Sequence, residues 1–355
     1  MGRTRLRDLG FKVGVLPVGP LNAITDVAGV RVGHVTLLAD TPRVARTGVT
    51  AIHPLPVPYW EQTVFAGFHS FNGFGEFAGA HWIRETGILS SAICLSSAFS
   101  IGTLRDALLA QTFHEGFAHR FHQPTCGETY DGMLNDGLAQ HVQAAHVYEA
   151  MRLAKGGPVE EGNVGGGTGM VCHEFKGGIG TSSRRVKTGG AEYTVGVLVQ
   201  SNYGLRPWLM VDGVPVGAEI GYDEVPSVYR REDGSIVIVV ATDAPLLPSQ
   251  CERLARRAPL GLGRAGGWGN NTSGDFVIAF STANRLPAID GETIRGIEML
   301  PNVQLSALFP AVAEATEEAI VNALLAAESM TGRDGNEARA IPLERFVSIM
   351  RRHGR

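Results

Sequence analysis

Five β-branched residues in succession, Ile236-Val237-Ile238-Val239-Val240, commit the chain to a strand inside a sheet at that point. Directly before them lies a polar stretch, Tyr222 to Gly234, which holds Asp223, Glu224, Arg230, Arg231, Glu232 and Asp233. Taken alone, such a stretch is a surface hairpin loop. Other short runs, rich in Val and Ile and bounded by turn residues, also predict strands: Val30 to Leu38, Ile88 to Leu95, Tyr193 to Gln200 and Phe276 to Ser281. Helical spacing falls between them. It covers Gly137 to Lys155 and a segment opened by Pro248 that passes through Leu254 and Arg257. The longest helical pattern runs from Ala311 to Met330, with Glu317 and Glu318 on its wet side and Gly332 as its stop. Strands and helices alternate without a break in composition, which predicts one layered α/β body over residues 1–355 rather than two independent domains.

Charge and composition narrow the function. A formal net charge of -4 gives no electrostatic case for nucleic acid or an anionic membrane. No apolar run approaches the roughly 18 residues that span a bilayer. The N-terminal residues lack the apolar segment of a secretory signal, so a soluble, cytoplasmic protein is expected. Cys94, Cys126, Cys172 and Cys251 are scattered and fit small buried hydrophobes better than ligands. Cys172-His173-Glu174 looks chemical, but neighbours on a strand point opposite ways, so a dyad there needs an unusual backbone. The 11 histidines show no ligand spacing, and neither a metal nor a cofactor is expected. The 46 glycines gather in runs such as Gly165-Gly166-Gly167, which suggests tight turns and close backbone approaches. A nucleotide-binding pattern can be forced onto Gly162 to Gly169, but the usual register and the P-loop Lys-Ser/Thr are missing. Close packing near a catalytic centre is the better account of that cluster.

The junction Gly234-Ser235 carries the chemistry. A serine hydroxyl is a weak nucleophile and needs an adjacent base. If the peptide bond before it is cut, the serine acquires its own α-amine, whose ordinary pKa of about 7.7–8.0 suits a base at working pH. Gly234 has no Cβ, which lets the peptide adopt the strained conformation in which Oγ attacks the preceding carbonyl. A Gly-Ser pair before a strand is common, so this signal is weak by itself.

Longer motifs strengthen it. Asp233-Gly234-Ser235-Ile236-Val237-Ile238-Val239-Val240-Ala241-Thr242-Asp243-Ala244-Pro245-Leu246 resembles the self-cleavage site of the DmpA-type L-aminopeptidase/D-esterases and β-peptidyl aminopeptidases. The likeness also covers Gly19 to Val27, Gly29 to His34, Gly127 to Gly132, Gly165 to Met170, Asn271 to Asp275, Phe280 to Asn284 and Met330 to Gly335. It implies a four-layer αββα sandwich that resembles N-terminal-nucleophile hydrolases but has its own topology. It also implies self-cleavage into a 1–234 α subunit and a 235–355 β subunit, assembled as a homo-oligomer of αβ pairs, a tetramer being one form. Position by position, Ser235 matches the nucleophile and Asn202 the oxyanion-hole amide. Ser273 and Asp275 match a hydroxyl–carboxylate pair that connects to the nucleophile and its ammonium, while Glu128 and Tyr130 match the pocket for the substrate's amino group. Without the resemblance, Asn202 reads as a turn residue, Ser273 and Asp275 as a loop or helix cap, and Glu128 as part of an exposed turn. Some family members carry glutamate where Asp275 stands, which puts the reach of that pair in question. The expected activity is a self-processing serine aminopeptidase acting on short peptides, amides or esters. Acyl transfer to an amine, or cleavage of ω-amino-acid oligomers, would use the same nucleophile. An uncleaved binding protein is the alternative from another class.

Overall fold

The computed structural model describes residues 3–114, 121–227, 234–288 and 293–355. Its strands are β1 (Arg31–Ala39), β2 (Ala45–His53), β3 (Gln62–Gly73), β4 (Phe77–Ala78), β5 (Ile88–Leu89), β6 (Ile93–Ser97) and β7 (Thr125–Thr129). These are followed by β8 (Val171–Cys172), β9 (Phe175–Lys176), β10 (Gly178–Thr188), β11 (Ala191–Asn202), β12 (Gly234–Thr242) and β13 (Ser273–Pro287). The first helices are α1 (Ala80–Thr86), α2 (Ile101–His114), α3 (Ala144–Arg152), α4 (Val216–Glu219) and α5 (Pro248–Ala255). Then come α6 (Ala258–Arg264), α7 (Asn302–Leu305), α8 (Leu308–Ala326) and α9 (Leu343–Arg352).

Two main sheets result, ordered β1-β2-β6-β7-β4 and β10-β11-β12-β13-β3-β5, beside two-stranded ribbons of β8 with β9 and of Met330–Thr331 with Glu337–Ala338. The β-branched run shows how they stack, because side chains alternate across a strand. Val237, Val239 and Ala241 join Ile52, Ile93 and Leu95 of the first sheet in a core between the sheets. Ile236, Ile238 and Val240 instead join Leu254 of α5, Leu262 of α6, Leu324 of α8 and Phe346 of α9 on the outer side. Cys94 and Val49 of the first sheet pack outward on Leu104 of α2 and Val147 of α3. The order is therefore helices, sheet, sheet, helices: the four-layer αββα arrangement. Burying each Ile or Val of β12 contributes roughly 1.5–3 kcal/mol, which is why the run occupies the middle of a sheet.

Four sequence expectations need correction. The run Ile88 to Leu95 is not one strand: β5 pairs with β3 in the second sheet, and β6 pairs with β2 and β7 in the first. The chain crosses between sheets at Ser90-Ser91-Ala92. The helix expected over Gly137 to Lys155 is only α3, preceded by a single 3-10 turn at Gly137–Ala139. The long helix is α8, which stops at Ala326, short of Met330 and Gly332. Glu317 and Glu318 are not on a wet side; both are fully buried, because arginines from distant segments meet them. Glu318 accepts from Arg7 Nε at 2.8 Å and pairs with Arg184 at 2.7 Å, while Glu317 pairs with Arg264. Of the polar stretch before β12, Arg230, Arg231, Glu232 and Asp233 lie outside the described residues.

Candidate active site

Ser235 is the second residue of β12 and is buried. It faces the space between the sheets, on the same side as Val237. Its Oγ accepts a hydrogen bond at 3.2 Å from the backbone N–H of Tyr130, just past the end of β7 in the opposite sheet. Gly234 is packed so tightly that a Cβ there would sit 2.6 Å from Tyr203 Cα and 2.7 Å from the Asn202 carbonyl oxygen. Only glycine fits before the serine.

Asn202 ends β11 and stands directly opposite Ser235 in the antiparallel register. Cross-strand partners of this kind share a face, with Cβ atoms about 4.5–5.5 Å apart. Asn202 Oδ1 accepts from the Val171 backbone N–H at 2.8 Å. That bond fixes which end of the carboxamide is which, and makes Nδ2 the end opposite the Val171 N–H. Asn202 is thus a buried strand residue, not a turn residue.

Ser273 and Asp275 open β13, which runs parallel to β12 with Gly234 beside Ser273 and Ser235 beside Gly274. The Ser273 hydroxyl donates to Asp275 Oδ1 at 2.6 Å, so the structure brings this pair together on a strand rather than in a cap. Alternation places both on the helix-facing side, with Val277 and Ala279, opposite to the side of Ser235 Oγ. What Asp275 meets from β12 is the backbone: the Ile236 N–H stabilises its charged form. Burial outweighs that help and the Ser273 hydrogen bond, and pushes Asp275 up to about 6. Asp275 Oδ2 and the Tyr203 hydroxyl are both buried without a hydrogen-bond partner among the described residues, and both line a small cavity with Ser273, Trp208 and Trp268.

Glu128 lies in β7, two residues before Tyr130, and is 7% exposed. Its Oε1 accepts from the Glu76 backbone N–H at 3.0 Å, and no cation pairs with it among the described residues. Burial, more than the neighbouring Glu76 and Asp131 charges, pushes it up to about 7. Asp131, fully buried and bonded by the Ser97 hydroxyl at 2.6 Å, is pushed up by burial to about 6. The Tyr130 ring is partly exposed and packs against Phe99 at 5.7 Å between centroids. Sequence reasoning missed Asp131, Tyr203 and the Tyr130 N–H. The last is a backbone group and leaves no mark in a sequence.

The rival constellations fall away. His173 and Glu174 do have the unusual backbone a dyad requires, with φ of 49° and 60° in the tight turn between β8 and β9. However, burial pushes the Cys172 thiol up to about 12 and His173 down to about 4, so thiol and imidazole both stay neutral. Gly166 and Gly167 sit against protein, not an open phosphate cradle. A Cβ on them would strike Gln200 Oε1 at 2.0 Å and the Ile179 backbone nitrogen at 2.4 Å. No helix among the described residues is long and apolar enough to cross a membrane.

An αββα body with a serine at the start of a central strand defines the N-terminal-nucleophile class of hydrolases. The model of Peptidase family S58 matches residues 22–338. The chain is 43% identical over 370 residues to the β-peptidyl aminopeptidase BapA of Sphingosinicella microcystinivorans, covering 99% of this chain and 93% of that protein. A β-aminopeptidase structure from Burkholderia sp. superposes with a TM-score of 0.94 at 48% identity, covering 99% of each chain. The L-aminopeptidase D-Ala-esterase/amidase of Ochrobactrum anthropi, described as a new variant among the Ntn hydrolase fold, gives 0.90 at 41% identity, again covering 99% of each chain. The chain belongs to peptidase family S58. It is a serine aminopeptidase.

Proposed function

We propose that Ser235 attacks the Gly234 carbonyl and cuts the chain into residues 1–234 and 235–355. The freed α-amine of Ser235 then serves as the base for turnover. Asn202 Nδ2 and the Tyr130 N–H are the donors available to a tetrahedral oxyanion beside Ser235. Ser273 and Asp275 act on the new amine rather than on Oγ, because they lie against the backbone edge of β12. The substrates are short peptides, amides or esters with a free N-terminal amine, β-amino residues included, as the names of the relatives suggest. Hydrolysis of the acyl-enzyme by water completes the cycle. Assembly of the αβ pairs into a homo-oligomer belongs to the same proposal.

One observation carries the choice of an aminopeptidase over an endo-acting amidase. Glu128 is a buried carboxylate without a cation among the described residues, two residues from the N–H that holds Ser235 Oγ. A buried charge needs a partner, and a substrate ammonium supplies one. Acetylating the substrate amine should therefore abolish turnover, and equal cleavage of free and acetylated p-nitroanilides would overturn the assignment. Maturation is checked on a denaturing gel: the purified enzyme gives two bands, the smaller beginning Ser-Ile-Val-Ile, and Ser235→Ala gives one inactive chain.

A further inference from the structure

Lys176 is a fully buried lysine that the chemistry above does not use. Its Nζ donates to three backbone carbonyls: Met170 at 2.7 Å, Gly177 at 2.7 Å and Gly167 at 3.3 Å. No carboxylate pairs with it among the described residues. Burial pulls the ammonium down to about 7, with only the neighbouring Cys172 opposing it; hydrogen-bond acceptors such as these carbonyls favour the charged form of a lysine. A lysine that only filled space would be an expensive choice, since an apolar side chain of that volume avoids the cost of desolvating a charge.

The position of one acceptor gives the lysine a connection to the site. The Met170 carbonyl and the Val171 N–H are two ends of a single peptide group. Lys176 holds the carbonyl end, and the N–H end donates to Asn202 Oδ1 at 2.8 Å. The same carbonyl also accepts from the Gly177 N–H at 2.9 Å, so the peptide plane cannot rotate freely. A cation on a carbonyl draws electron density through the amide and makes its N–H a stronger donor. A stronger donor on Oδ1 in turn makes the Asn202 Nδ2 hydrogens more acidic.

We propose that Lys176 is a positioning residue for the oxyanion hole: through the Met170–Val171 peptide it orients and polarises the Asn202 carboxamide toward the developing oxyanion at Ser235. The inference rests on Asn202 being the oxyanion donor. Lys176 touches neither substrate nor the reacting atoms. Its effect is confined to the step in which negative charge develops, so it belongs to kcat and leaves ground-state binding alone.

A double-mutant cycle tests both statements separately. Variants Lys176→Met, Asn202→Ala and the pair are assayed on a free-amine p-nitroanilide, using enzyme that is fully cleaved and folded by circular dichroism. Asn202→Ala should lower kcat about 10²–10³-fold, the usual cost of losing an oxyanion donor. Lys176→Met should lower kcat about tenfold with KM unchanged, and should cost nothing further once Asn202 is gone. Lys176→Arg, which keeps the charge, should recover part of the loss. If Asn202→Ala leaves kcat intact, the oxyanion assignment fails. If Asn202→Ala is slow but Lys176→Met is as fast as the native enzyme, or its loss simply multiplies that of Asn202→Ala, the relay fails and Lys176 is structural. Should Lys176→Met not fold, the native protein still decides the matter. The Asn202 carboxamide proton, identified by its loss in Asn202→Ala, should resonate downfield of ordinary carboxamides in the selectively 15N-labelled enzyme. An ordinary position overturns the relay.

Discussion

The molecule buries two groups of carboxylates and gives cations to only one of them among the described residues, although even there burial still raises the Arg264-paired Glu317. On α8, Glu314, Glu317 and Glu318 are met by Arg184, Arg264 and Arg7. Arg184 is itself fully buried and bonds Glu314 at 3.0 Å, Glu318 at 2.7 Å and the Val13 carbonyl at 2.9 Å. Burial alone would push Glu318 up, but the hydrogen bond from Arg7 and the charge of Arg184 outweigh it and hold the acid below its usual range. Around Ser235 the acids Glu128, Asp131 and Asp275 receive hydroxyl and backbone donors but no cation among the described residues, and burial raises all three. Raised acids without a cation among the described residues suit a charged group that arrives later. Under the proposed function, that visitor is the substrate ammonium for Glu128 and the amine made by chain cleavage for Asp275.

The largest test breaks the paired group. Arg184→Met leaves Glu314 and Glu318 partly uncompensated, and should cost roughly 3–5 kcal/mol of stability, read by urea unfolding of the uncut Ser235→Ala chain. The unpaired group should answer differently. Glu128→Gln should lower kcat/KM for free-amine substrates by an amount equivalent to about 2–5 kcal/mol while cleavage at Ser235 proceeds, as gel and progress curves would show. The same variant should be more stable than the native protein at pH 8, by about 1–3 kcal/mol. A carboxyl raised in the folded state to about 7 costs nothing below its unfolded value, where it is neutral in both states. The cost grows between the unfolded value and about 7 and is complete above it, so Gln relieves most at alkaline pH. A loss of stability in Glu128→Gln would erase the contrast with Arg184.

The smallest effect is the pH profile. Below about 7 Glu128 is protonated and offers no charge to an ammonium, so kcat/KM should rise through neutrality and level off above it. The Glu128→Gln enzyme should lose that rise. If both enzymes share one inflection, the titrating group is elsewhere, and Asp275 at about 6 is the next to examine.

Sequence patterns made the strand and a layered α/β body legible, because a β-branched run admits few structures, while Ser235 and the four-layer order stood out only through the family resemblance. They failed where the answer depended on distant chain. Glu317 and Glu318 read as wet since their spacing says nothing of Arg264, which meets Glu317, or of Arg7 and Arg184, which meet Glu318 from more than a hundred residues away. Ile88 to Leu95 read as one strand since both halves are apolar, and only the neighbours of each half assign it to a sheet. The facing of Ser273 and Asp275 required the register of β12 against β13, which no local pattern encodes. Lys176 gave no signal at all, for its importance lies in which peptide it holds.

The bond before Ser235 sits where β12 is hydrogen-bonded to β11 on one side and β13 on the other, with α8 clasping Leu6, Arg7 and Arg184 of the upstream portion. The proposed cut therefore changes the molecularity of unfolding without loosening the fold. An intact chain unfolds to one coil, and its midpoint is independent of concentration. A cut chain unfolds to two, which must find each other and rebuild the eight β11–β12 register pairs and the eleven β3–β13 pairs to return. The melting temperature of the mature enzyme then falls on dilution, and heating it becomes a one-way process where the uncut chain can refold. Such a protein has one opportunity to fold as a single thread. Its later persistence depends on how slowly it opens, not on how readily it could form again.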